Sequence, residues 1–252
     1  MNEISSLSNA KIKETVKLHQ KKYRELMGLF IAEGEKTLQE LLDNAIEIED
    51  IFVLNGYNFD ISKDLADKVS VCSEPVMKKL MTTDSIPKVV VVAKKKQNTL
   101  DKIKSLQKIA LLENIKDPGN LGTIIRSAAA FGIDAILLVG DTIDLYNPKV
   151  IRSSAGNFFK LPVFELKSAK DIREICSGFT FVSTALQNKT TISIADAKMI
   201  DKLVVMFGSE ASGLTDELAA IADKNFLINI SKDVESLNLS VAASIVFHEL
   251  YN

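Results

Sequence analysis

From Ile109 to the end of the chain, short apolar runs and helical stretches take turns. The runs are IALLENI, AILLVG, FTFVSTAL, LVVMFGSE and NFLINIS. A run without polar alternation reads as a strand covered on both faces. Strands separated by helices pair in parallel, because each crossover needs about a helix's length of chain. The pattern therefore predicts an α/β domain with a mostly parallel sheet. Ligands of such sheets bind where loops leave the carboxyl ends of the strands.

Residues 1–97 have a different rhythm. NAKIKETVKLHQKKYRELMG is polar with sparse apolar spacing, predicting a helix with an exposed basic face. LFIAEG, IEDIFVL and KVVVVAKK are strand-like, and EKTLQELLDNA is helical with Leu38, Leu41 and Leu42 on one face. This makes a smaller α/β unit. KKKQNTLDKIKS, lysine-rich and low in large apolar groups, marks the domain boundary, with residues 98–106 as the expected linker to a domain over 107–252.

Net charge is −2, so no global positive field announces a nucleic-acid partner. The charge is uneven, however. Lys11, Lys13, Lys17, Lys21, Lys22 and Arg24 crowd the start, and such a patch can bind phosphate without a basic pI. Lys11, Lys17, Lys21, Lys22 and Arg24 are the expected RNA contacts. The two cysteines, Cys72 and Cys176, have no metal-type spacing and read as reduced structural thiols. With two histidines in the whole chain, a histidine-based metal site is not expected. The start MNEISSLSNA carries no apolar signal segment and no run is long enough to span a membrane, which points to the cytoplasm. Walker-type and G-x-G-x-x-G phosphate loops are absent, as are G-x-S-x-G and H-E-x-x-H.

Three loops that follow strands carry unusual polar groups. In ENIKDPGNLGTIIRSAAAFG, Asn120 is placed to cap a helix, with Leu121, Ile124, Ile125, Ala128 and Ala129 as its buried face. Arg126, one of four arginines in 252 residues, falls off that face on a stripe with Gly122 and Ala130. In LVVMFGSEASGLT, Gly208 admits a close backbone approach, and Glu210 stands at a strand's carboxyl end. In INISKDVESLNLSVAASIVFHELY, Ser236 and Asn238 precede a helix that is apolar almost all round. Each loop alone is ordinary capping chemistry.

Together, NLGTIIRSAAAFG, FGSEASGL and ESLNLSVAASI resemble, in this order, the three motifs of the SpoU/TrmH family of RNA ribose 2′-O-methyltransferases, part of the SPOUT superfamily. NPKVIRSSAGNFFKLPV between the first two is also similar to that family. The resemblance covers residues 107–252. SNAKIKETVKLHQKKYRELMGLFIAEGEKTLQE resembles the substrate-binding domain of some members, which shares a fold with kink-turn-binding ribosomal proteins.

The resemblance implies a sheet with a deep trefoil knot at its carboxyl end and S-adenosylmethionine as cofactor, held mainly through backbone groups. Gly208, Ile230 and Leu237 match the cofactor contacts. The short turn SKDVE leaves Ile230 open against Ile228. Arg126 matches the catalytic arginine, with Asn120, Glu210, Ser236 and Asn238 at the remaining motif positions. In the family proposal the arginine accepts the proton. A guanidinium's very high pKa argues instead for electrostatic activation of the ribose hydroxyl. The implied partners are RNA, ribosomal RNA first, and a second copy of the chain in a homodimer. The alternatives are a tRNA 2′-O-methyltransferase, a base methylase of the same superfamily, and a non-catalytic knotted RNA binder.

Overall fold

The computed structural model describes residues 2–58, 61–166, 168–184, 190–209 and 212–251. In the first part of the chain the elements are β1 (Asn2–Ile4), α1 (Ala10–Lys17), α2 (Lys21–Met27), β2 (Leu29–Glu33), α3 (Glu35–Asp43), β3 (Ile48–Leu54), β4 (Val69–Cys72), α4 (Glu74–Leu80) and β5 (Val89–Lys94). The single basic helix expected here is two. Leu18 closes α1 with its N–H on Thr15 and Val16, and Gly28 ends α2 in the left-handed conformation that a residue without Cβ adopts freely. Leu38 and Leu41 are buried on α3, whereas Leu42 is exposed. The strands form a mixed sheet in the order β1-β4-β3-β5-β2. β1, β4 and α4 are too short for periodicity to reveal them.

The second part contains β6 (Lys108–Glu113), α5 (Pro118–Ala130), β7 (Ala135–Val139), α6 (Pro148–Ser153), β8 (Val163–Leu166), α7 (Ile172–Ile175), β9 (Thr180–Ser183), β10 (Thr191–Ile192), α8 (Ile194–Lys198), β11 (Leu203–Phe207), α9 (Asp216–Ala220), β12 (Lys224–Phe226) and α10 (Leu239–Tyr251). Among the described residues seven strands pair in the order β10-β12-β9-β11-β6-β7-β8, every pairing parallel. β7 and β11 are buried at every residue, as continuous Val, Leu and Ile runs require when helices cover both faces. The expected strand NFLINIS stops at Phe226. Leu227, Ile228 and Ile230 run on without sheet pairing.

Two compact units share the chain. One comprises 1–97 with 144–159, the other 98–143 with 160–252. In the first, the Arg24 guanidinium donates to Asp144 Oδ2, with Nε at 2.7 Å, and to the Leu18 carbonyl at 2.6 Å. Phe30 packs on Tyr146 and Phe159, and the Glu40 carboxylate fills the place a Cβ on Gly156 would need. In the second, residues 100–105 of the expected linker form a 3-10 helix whose Ile103 is fully buried in the core with Ile109, Leu111, Leu137 and Met206.

Candidate active site

All strands of the second unit point the same way, so the loops after β6, β11 and β12 leave one edge of the sheet. Each of the three motifs occupies one of these loops and runs toward the next helix. The first begins with Asp117, not Asn120, as the cap of α5. Asp117 accepts the Asn120 N–H at 2.7 Å, and Pro118 takes the first helical position, where no N–H is needed. Asn120 therefore lies inside the first turn. Its Oδ1 accepts the Asn238 side-chain amide at 3.1 Å.

Asn238 is the hinge of this arrangement. Its Oδ1 faces the start of α10 and accepts the N–H of Ser240 at 2.9 Å, that of Val241 at 3.3 Å and the Ser240 hydroxyl at 2.7 Å. Three donors fix the oxygen on that side and turn the NH2 toward Asn120. Helices α5 and α10 then run side by side in the same direction. Ser127 and Ser244 hydroxyls meet at 2.7 Å, Phe131 stacks edge-on against His248, and Lys108 at the start of β6 holds the Leu250 carbonyl at 2.7 Å. Phe247 turns inward onto Phe207 of β11.

Arg126 is exposed and makes no ion pair or hydrogen bond with another described residue. Its exposed helix neighbours are Thr123 and Ala130; Gly122, expected on that stripe, is buried. A guanidinium left bare beside small residues has its five donors available to a phosphate or a developing oxyanion. Ser236 is exposed as well, and Leu237 half-buried. Glu210 lies outside the described residues.

Gly208 must lack a side chain for the chain's own sake: a Cβ here would collide with Gly213 and Leu214. Ser209 and Gly213 exchange two backbone hydrogen bonds, at 3.0 and 2.9 Å, and Gly213 takes a positive φ of 67°. Beyond β12, Ile230 and Val234 stay 39% and 48% exposed, with Ile228 and Leu237 partly covered. Apolar side chains beside backbone that lies outside the sheet suit a ligand with a flat apolar ring and hydrogen-bonding edges.

Sequence reasoning missed Glu113. It is the last residue of β6, 5% exposed, and it binds Thr215 after β11. The signal was present as a carboxylate ending the apolar run IALLE. The basic patch of the first unit is the opposite case. Arg24 is 2% exposed and consumed by Asp144, so it is not an RNA contact. Lys11 pairs with Asp50, Lys17 with Glu14 and Lys21 with Glu25, while Lys22 lies 5.8 Å from the Tyr23 ring centre.

Residues 107–248 match the SpoU rRNA methylase family, and residues 9–91 match the MRM3-like substrate binding domain. The chain belongs to the SpoU rRNA methylase family. It is 30% identical to the 23S rRNA (guanosine(2553)-2′-O)-methyltransferase RlmP of Bacillus subtilis, over 99% of both chains. Among solved structures it is similar to an AdoMet-bound rRNA methyltransferase from Sinorhizobium meliloti, with 29% identity, a TM-score of 0.87, and coverage of 99% of this chain and 97% of that one. A crystal structure described as an RNA 2′-O ribose methyltransferase matches with 27% identity and a TM-score of 0.80, over 98% and 97% of the two chains. The mixed α/β architecture with its seven-stranded parallel sheet is that of these methyltransferases.

Proposed function

We propose that this SpoU-family chain transfers a methyl group from S-adenosylmethionine to a ribose 2′-hydroxyl of ribosomal RNA. The observation that carries the reading is the Asn120–Asn238 hydrogen bond, which joins the first and last motifs at the edge where the motif loops leave the sheet. Support for ribosomal over transfer RNA comes from the full-length relative of Bacillus subtilis, which is named for 23S rRNA.

S-adenosylmethionine, when bound, supplies an electrophilic methyl carried on a sulfonium. The loop 227–238 fits its adenosine, with Ile230 or Ile228 and Leu237 as apolar contacts and open backbone for the adenine edge. Gly208, just past the end of β11, offers its backbone to the cofactor from the neighbouring loop. Arg126 stabilises negative charge developing on the 2′-oxygen and grips the adjacent phosphate; the proton leaves through phosphate or water, because the guanidinium stays charged. Asn120 and Asn238 hold the two helix starts together, Ser236 contacts ribose or phosphate, and Glu210 orients Arg126 or Asn120. Residues 1–97 bind the RNA substrate and 107–252 carry the chemistry, with 98–106 joining them as a segment packed into the second unit and the motif loops tied in a trefoil knot. On this reading the enzyme works in the cytoplasm, and the exposed side of α10 pairs two copies into a homodimer.

The test is incorporation of a labelled methyl group from S-adenosylmethionine into 23S rRNA, 16S rRNA and tRNA, followed by digestion to nucleosides. The expected product is a 2′-O-methylnucleoside from 23S rRNA, and the position equivalent to guanosine 2553 is the first to map. Label on a base, or on tRNA alone, would overturn the substrate assignment. A chain that binds the cofactor and methylates none of these would favour the non-catalytic reading.

A further inference from the structure

The carboxylate of Glu113 sits in the interior at 5% exposure and forms no ion pair among the described residues. A buried carboxyl group stays in a core only where its oxygens find donors. Both oxygens here go to one residue of another loop: Oε2 accepts the Thr215 N–H at 2.8 Å and Oε1 the Thr215 hydroxyl at 2.7 Å. β11 pairs with β6 as far as Phe207 opposite Leu112, so Glu113 stands one residue beyond that rung, beside the point where the chain leaves β11. Thr215 is also the cap of α9, its hydroxyl facing the Leu218 N–H at 3.5 Å. The near end of the same loop is closed by the Ser209–Gly213 bridge and by the contact of Gly208 with Gly213 and Leu214. The loop after β11 is thus shut at its base and clipped to β6, the strand that leads into Asp117 and α5.

We propose that Glu113, acting through Thr215, is a positioning residue that holds the loop after β11 in its cofactor-binding shape. The assignment rests on the reading of the chain as an S-adenosylmethionine-dependent enzyme. Neither residue touches substrate; the pair fixes where Gly208 and its neighbours lie relative to α5. Threonine suits the position because it offers two donors, one from the backbone and one from the side chain, to the two carboxylate oxygens.

Thr215→Val keeps the shape and the backbone N–H but leaves one buried oxygen without its donor. Equilibrium binding of S-adenosylmethionine to the full chain is expected to weaken about tenfold in Thr215→Val, which corresponds to roughly 1.4 kcal/mol. KM for the cofactor rises in step, while kcat at saturating cofactor stays within about twofold; the melting temperature falls modestly, because a buried oxygen and the α9 cap both lose their hydroxyl partner. Thr215→Ser, which restores the hydroxyl, returns both constants to the wild-type values. Hydrogen exchange at the Ser209 and Gly213 amides speeds up in the valine variant and not in the serine variant. Unchanged affinity and exchange in Thr215→Val would overturn the proposal. So would a loss that serine does not rescue, or one that lowers kcat and melting temperature while KM stays put. A wild-type chain that binds no S-adenosylmethionine, with loop exchange still governed by Thr215, would overturn the functional reading and the positioning role with it, and leave only a structural clip.

Discussion

Arg24 and Arg126 put the same side chain to opposite uses. Arg24 is sealed in the first unit, where Asp144 and the Leu18 carbonyl take its donors. Removing one partner of such a pair strands a buried charge, so Arg24→Ala is expected to lower unfolding free energy by about 3–5 kcal/mol, read by urea titration. Arg24→Met together with Asp144→Leu should recover most of that loss, since both charges go. Arg126 has no such partner among the described residues, and its substitution should leave stability alone. Arg126→Ala is expected to reduce methyl transfer on the order of 100-fold or more with cofactor affinity retained, because the lost group acts on the nucleophile. Arg126→Lys should fail similarly, since a point charge lacks the planar fork. Substantial turnover by the alanine variant would show the role to be misassigned. The two buried cysteines offer a pH test. Burial pushes the Cys72 and Cys176 thiols up to about 11. The folded state therefore keeps protons that the unfolded chain releases above the ordinary thiol range, and stability falls as pH rises from about 9 to about 11. Each thiol contributes on the order of 2 kcal/mol to that fall. A Cys72→Ala, Cys176→Ala variant should show a shallower loss over the same window in chemical denaturation.

At the scale of elements, α10 divides into two sides that its sequence hides. Almost every residue from Leu239 to Leu250 is apolar or small, yet Leu239, Val246, Phe247 and Leu250 face inward while Val241, Ile245 and Tyr251 stay exposed. The inner side is satisfied by β11 and α5. The outer one, a stripe at helical spacing, is the surface proposed to meet a second copy. Ile245→Lys is expected to shift the protein from dimer toward monomer in sedimentation at micromolar concentration, with little change in melting temperature. Phe247→Glu is a different experiment. It forces a charge against Phe207 and should unfold the domain, so it reports on the core rather than on the interface. If Ile245→Lys leaves the assembly unchanged, the exposed stripe is not the dimer surface. The start of α10 is equally specific, because Asn238 both caps the helix and reaches Asn120.

At the scale of the molecule, the chain passes between its two units three times, because residues 144–159 pack with the first unit although they lie between β7 and β8 in sequence. Phe158, Phe159, Val150 and Ile151 are buried in that company, and Asp144 neutralises Arg24 there. Deleting residues 1–97 would uncover this apolar segment. The fragment 98–252 is expected to aggregate or to show exposed hydrophobic surface by dye binding, whereas a deletion that also replaces 144–159 with a short polar linker should stay monodisperse. A well-behaved 98–252 fragment would show that the segment has no need of its partners.

Periodicity and turn chemistry are local, and local features are legible in the sequence. The apolar runs of β6, β7 and β11, the parallel sheet they imply, the helix carrying Arg126 (though with its cap at Asp117 rather than Asn120) and the three motif loops all come from residues within one or two turns of each other. So does the family, whose motifs are short and ordered. The pairings across long stretches of chain are of another kind, and no local pattern announces them. Asn120 meets Asn238 across 118 positions, Glu113 meets Thr215 across 102, and Arg24 meets Asp144 across 120. A lysine-rich start cannot disclose that its one arginine is buried, nor a glycine after a strand that its own loop fills the space beside it. Such facts depend on which surfaces fold against each other, and burial is a property of that meeting rather than of the residue.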